Sequence, residues 1–183
     1  MNARTSPEDL AIDAATPVRR DHLWLELTSA GNRAFGEGAS DAARKLYTRA
    51  LQEADRLFDA GNADDISVPL PAILNISCHN LAELAARNGE QAECTRLLVH
   101  AFDRLAATAR RPTAGLELRT ACVQHLKYAL LELAAHLTRL GDPALPPQHF
   151  IDRARKAVSA VRHASEHARR ADGDACGHCR LPH

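Results

Sequence analysis

The chain has 183 residues, 45% of them hydrophobic but only seven aromatic, and its 23 basic residues are matched by 23 acidic ones. This length suits one domain with its own core, and an Ala- and Leu-rich, aromatic-poor composition predicts close-packed helices rather than sheet. A net charge of zero leaves no whole-molecule field to gather nucleic acid or hold the chain on an anionic membrane, and no apolar run approaches the roughly 20 residues of a membrane span.

Residues 1–20 are predicted to form a flexible arm; they are polar, carry Pro7 and Pro17, and lack the apolar stretch that export requires, so a cytoplasmic location is expected. In that reducing compartment the five cysteines are not expected to form structural disulfides, and Cys78, Cys94 and Cys122 fall where helices bury small apolar groups. Helical periodicity then runs through residues 21–171. A first helix spans about Asp21 to Gly36, with Trp24, Leu27, Gly31 and Phe35 on one stripe. A second, capped near Ser40, carries Ala43, Tyr47, Ala50 and Ala54 and stops near Gly61. After a polar linker, Asn62 to Ser67, a third runs from about Pro71 to Asn88 with Gly89 as its breaker. A fourth covers about Glu90 to Ala109, a fifth Thr113 to Leu140, and a sixth Pro147 to Ala171, leaving a short tail at 172–183.

Three glycine turns, at Gly38, Gly89 and Gly141, each follow a small or apolar pair, Ala30-Gly31, Leu81-Ala82 and Leu133-Ala134. A period of roughly 50 residues is one at which paired helices stack, each unit burying the apolar face its neighbour cannot bury alone. Trp24 to Phe58 resembles a tetratricopeptide repeat, with Ala30-Gly31, Phe35, Gly38, Ala43, Tyr47 and Ala50 in its pattern. Asn75 to Leu105 is similar through Leu81, Ala82, Ala85, Gly89, Leu98, Ala101 and Phe102, with Cys94 in place of alanine. The third unit keeps Leu133-Ala134 and Gly141 but has prolines where its second helix should start. The family's ordinary period is about 34 residues, so longer helices and inter-repeat loops are expected here.

The resemblance implies an all-α stack of about three antiparallel helical hairpins, a tetratricopeptide-like solenoid, whose first helices line a concave face for a protein or peptide. By position in the repeat that face holds Asn32 and Phe35, His79, Asn80, Glu83 and Arg87, and Tyr128 and Arg139, with Leu25, Thr28, Leu131 and Glu132 beside them. In family members that hold a peptide C-terminus, asparagines at the places of Asn32 and Asn80 contact the ligand backbone. Thr28, Tyr128 and Glu132 stand where such a clamp has Lys or Arg, which argues against that particular ligand. Asn32 and Asn80 are as well explained by solvent or by bonds to a neighbouring helix. For Trp24 the spacing favours the core over a recognition platform.

At the C-terminal end, His163 and His167 lie one helical turn apart, and Cys176-Gly177-His178-Cys179 follows. Two imidazoles on one face and two thiolates flanking a glycine turn form a His2Cys2 set of the kind that holds structural zinc, with Asp172-Gly173-Asp174 folding the tail back. His178 or His183 could replace a ligand. The Cys-x-x-Cys spacing also occurs in thiol oxidoreductases, but there it follows a strand. An incidental tail is the remaining reading.

Arg153, Arg155, Lys156, Arg162, Arg169 and Arg170 make the last helix locally basic, so a zinc-dependent regulatory or nucleic-acid-associated protein is the rival to an adaptor. No aromatic residue interleaves to stack bases, which argues against nucleic acid. Phosphate loops, nucleophile elbows and His-Glu-x-x-His pairs are absent from the sequence, and the expectation is a non-catalytic protein-binding module.

Overall fold

The computed structural model describes residues 19–61 and 63–176, with side chains to residue 171. Among the described residues there are six helices and no strand: α1 (His22–Gly36), α2 (Ser40–Ala60), α3 (Leu70–Arg87), α4 (Gln91–Arg110), α5 (Leu116–Leu140) and α6 (Pro147–Cys176). None is long and apolar enough to cross a membrane. Each helix packs against the next in sequence, and α1 also touches α3, α3 touches α5 and α4 touches α6.

The turns after α1 and α3 are built alike. Gly38 and Gly89 sit at φ +75° and +77°, a left-handed conformation that a Cβ would strain. In the first turn the Gly38 N–H donates to the Phe35 carbonyl at 3.1 Å and the Ala39 N–H to the Ala34 carbonyl at 2.9 Å; 51 residues later Gly89 and Glu90 donate to Ala86 and Ala85 at the same two distances. This paired bonding closes two orphan carbonyls of a helix end and fixes where the next helix starts. The third glycine turn differs. Gly141 makes a single bond to the Leu137 carbonyl at 3.0 Å, and residues 142–146 intervene before α6. Prolines do not prevent that helix. Pro147 occupies its first position, where the missing N–H is no loss.

The cap of α2 falls near Ser40 as expected, at Ala39, and acts through backbone alone. One further difference from the sequence reading has a local cause. The α6 helix continues through 172–174 to Cys176 instead of ending at Ala171, since one interior glycine costs only about 1 kcal/mol.

The linker between α2 and α3 is held by Asp21, which is fully buried. Its Oδ2 accepts the Ser67 N–H at 2.7 Å, the Ser67 hydroxyl at 2.5 Å and the Val68 N–H at 3.2 Å. Burial pushes this carboxyl up, but the bonds from Ser67 and Val68, with Arg19 nearby, outweigh it and hold the group below the usual carboxylate range. At the other end, buried Arg119 donates to the carbonyls of Ala109 at 3.0 Å and Ala160 at 3.3 Å, joining the end of α4 to α5 and α6.

Helices α1 and α2 cross closely at Gly31. A Cβ at Gly31 would lie 2.5 Å from Tyr47 Cε1, so the ring occupies the space a side chain would need. Tyr47 cannot swing aside, being buried, with its hydroxyl donating to Asn32 Oδ1 at 2.9 Å. At the equivalent places of the second unit stand Ala82 and Leu98, a larger residue facing a smaller ring-free one. Gly31→Ala is therefore expected to destabilise the fold by about 1–3 kcal/mol, the helix-propensity gain of about 1 kcal/mol being outweighed by overpacking. In a Tyr47→Leu background the same change is expected to cost less. Urea unfolding of the four proteins in this cycle checks it, and additive effects would contradict the contact.

Candidate functional site

Half-buried Phe35, His79 and Glu83 and exposed Arg87 and Glu132, from α1, α3 and α5, meet along one seam. Arg87 on α3 lies over the Phe35 ring of α1 with its guanidinium carbon 3.9 Å from the centroid. One turn back, Glu83 Oε1 accepts from Arg87 Nη2 at 2.8 Å, fixing the guanidinium in that position. His79 stands 4.0 Å from Glu83 and 3.9 Å from Glu132 on α5. Phe35, Arg87, Glu83, His79 and Glu132 thus form a continuous row across three helices. The row follows from helix geometry: residues 79, 83 and 87 recur every turn on the side of α3 that its buried stripe leaves free.

The other predicted residues are placed less uniformly. Asn32 is exposed, but its side-chain carbonyl already accepts the Tyr47 hydroxyl. Burial raises the Tyr47 pKa, Glu83 adding to the effect and Arg87 opposing it, which puts this phenol within the field of the row. Asn80 is half-buried on α3. Tyr128 is 50% exposed with the Lys127 ammonium 4.6 Å from its ring centre, and Leu131 beside it is 66% exposed. Arg139 is exposed at the last turn of α5, and its charge acts on His136 and Cys94 rather than on the row. Trp24 belongs to the core, its indole N–H donating to Ser77 Oγ at 2.8 Å.

Between α4 and α5 the fold makes a contact that the sequence does not announce. The Cys94 sulfur lies 3.6 Å from His136 Nδ1, and Thr95 Oγ1 is 2.7 Å from His136 Nε2, with both Cys94 and His136 buried. The Thr95 hydroxyl donates to the Gln91 carbonyl at 2.9 Å, so it accepts from Nε2–H, leaving Nδ1 to face the thiol S–H. Burial raises the Cys94 pKa; burial, then Arg139, lowers that of His136. Both groups are kept neutral, and a neutral thiol is a poor nucleophile. The dyad acts as a satisfied polar plug in the α4–α5 seam.

At the C-terminal end, His163 and His167 are both exposed on α6, and His163 Nδ1 is 3.8 Å from Glu166. The expected turn at 172–174 is helical, which puts the backbone of Cys176 about 13.5 Å along the axis from His167. Cys179, His178 and His183 lie outside the described residues. The basic character of α6 is partly neutralised: Arg153 pairs with Asp103 at 2.6 Å, Arg155 with Asp152 at 3.2 Å and Arg162 with Glu166 at 3.9 Å.

The profile of a protein family of unknown function (DUF2753) matches residues 22–167, and the chain belongs to that family. No curated protein and no solved structure matches the chain.

The dyad yields a pH signature. His136 binds a proton more weakly folded than unfolded, so the unfolded chain holds more protons below the ordinary imidazole value of about 6.5. Stability is therefore expected to fall as pH drops from 7 to 5, with His125, whose pKa burial also lowers, contributing in the same direction. His136→Gln is expected to shrink that fall in urea unfolding across this range. An undiminished fall would show that the ring titrates as freely folded as unfolded.

Proposed function

We propose that the chain is a non-catalytic protein-binding adaptor, its six helices forming three antiparallel hairpins in a tetratricopeptide-like solenoid with the first helices lining the binding face. Support for the stack comes from the turn bonding repeated 51 residues apart and from packing confined to helices near in order. The observation that carries the binding reading is the row from Phe35 through Arg87, Glu83 and His79 to Glu132, which makes one mixed apolar and charged surface from three helices.

On such a surface Tyr128 and Leu131 supply exposed apolar area, and an extended or helical peptide could bury them while exchanging Arg87 or His79 for its own polar groups. Aromatic and arginine side chains are the usual anchors of such contacts, each worth upward of about 2 kcal/mol when central. A role in the cytoplasm as an adaptor fits this surface without any reacting group.

Affinity capture from cell extract, read by quantitative mass spectrometry, tests the reading. An Arg87→Ala/Tyr128→Ala variant is expected to lose specific partners by about tenfold or more. A variant on the second-helix surface, Arg56→Ala/Arg96→Ala, is expected to retain them. Equal capture by all three proteins would leave this face without a role.

A further inference from the structure

The seams between helices follow an order that stops at α6. Helix α3 packs against both α1 and α2, and α5 against both α3 and α4. The matching groove, between α5 and α6, is covered by no described helix. It encloses about 380 Å³ over a floor of Val123, Leu126, Leu130, Ile151, Ala154 and Val158. Val158 is 48% exposed there. The charged residues lining the groove are Lys127, Arg155 and Arg162; Asp152 stands 3.2 Å from Arg155 and Glu166 3.9 Å from Arg162, exposed pairs whose weak hold an incoming carboxylate can replace.

An apolar floor under a cationic rim selects an acidic amphipathic segment, and it disfavours a second copy of the same groove, which would bring like charges together. We propose that residues 7–15 of this chain's own N-terminal segment dock in the α5–α6 groove. That segment, Pro7-Glu8-Asp9-Leu10-Ala11-Ile12-Asp13-Ala14-Ala15, carries three acids and no base among apolar residues. Residues 177–183 carry Arg180 and no acid, so charge does not select them.

The segment can reach. Its root is fixed where the Arg20 N–H donates to the Asp65 carbonyl at 3.1 Å and Asp21 binds Ser67. That linker and residues 115–121 together line a cavity of about 540 Å³, which puts the root beside the first turns of α5. The groove begins at Val123, about 10 Å along α5 from its start, and rounding one helix adds about 10 Å. Ten residues from Asp9 to Arg19 span up to about 35 Å.

The lysine content allows a direct test, because the chain has three lysines, Lys45, Lys127 and Lys156. A zero-length carbodiimide joins a carboxylate to an amine in contact with it. With the full chain at low micromolar concentration, the tryptic peptide bearing Glu8, Asp9 and Asp13 is expected to couple to Lys127 about tenfold more than to Lys45, within monomeric protein. Arg155→Glu/Arg162→Glu, which leaves both lysine and arm intact, is expected to cut the Lys127 product to the Lys45 level while helix content by circular dichroism stays unchanged. Equal coupling to Lys45 and Lys127 in the unmodified chain would overturn the proposal, as would a Lys127 product confined to cross-linked dimers, which would assign the groove to a second copy. Because none of Phe35, His79, Glu83, Arg87 and Glu132 lines this groove, its failure leaves the adaptor reading untouched.

Discussion

Among the described residues, no helix packs its apolar stripe against a single neighbour alone. Helix α3 is the clearest case: Leu70, Ile73, Leu74, Cys78, Leu81, Leu84 and Ala85 are all buried, and they need α1, α2, α4 and α5 together to cover them. Burying one leucine-sized side chain contributes about 1.5–3 kcal/mol, so a helix with five such positions is stable only inside the row and not beside it. The glycine turns at Gly38 and Gly89 serve this requirement. They repeat the same two bonds and so deliver α2 and α4 to their seams by the same route.

Polar groups complete seams that apolar packing leaves open. Asp21 gathers the α2–α3 linker, Arg119 ties the end of α4 to α6, and the Cys94–His136–Thr95 contact fills the α4–α5 seam. In each case a buried polar atom is satisfied by a segment distant in sequence, and losing one partner would leave the other without compensation at a cost of about 1–3 kcal/mol. The surface pairs Arg44–Glu90, Arg104–Asp59 and Arg153–Asp103 span neighbouring helices on the other side, but exposed pairs contribute at most about 1 kcal/mol each. The core is secured behind the face that carries Phe35, Arg87 and Glu132.

Periodicity and glycine position made the helices legible, since both are local: five of the six match to within three residues at each end, and α6 outruns its expected end by five. What was not legible depends on register between helices. Cys94 sits at an alanine-like position and His136 stands 42 residues away, so nothing local pairs them. Tyr47 is recognisable as a packing residue, yet its bond to Asn32 removes part of the hydrogen-bonding capacity that made Asn32 attractive as a ligand contact. The row from Phe35 to Glu132 was half visible, because residues 79, 83 and 87 share a helix face while their partners on α1 and α5 come from packing. The expected His2Cys2 set includes Cys179, which lies outside the described residues, and the stretch at 172–174 expected to fold the tail back is helical.

The central claim is that α1, α3 and α5 lie in sequence along one face rather than around a closed bundle. Spin labels at the equivalent positions Ser29, Asn80 and Glu132, introduced as cysteines with Cys176 and Cys179 replaced by serine, measure it by electron paramagnetic resonance. The account predicts that the 29–80 and 80–132 separations are similar, each about one helix spacing of roughly 10 Å plus label length, and that 29–132 is about twice the helix spacing. A 29–132 separation no greater than the other two would mean that the helices close on one another, and the shared face would not exist.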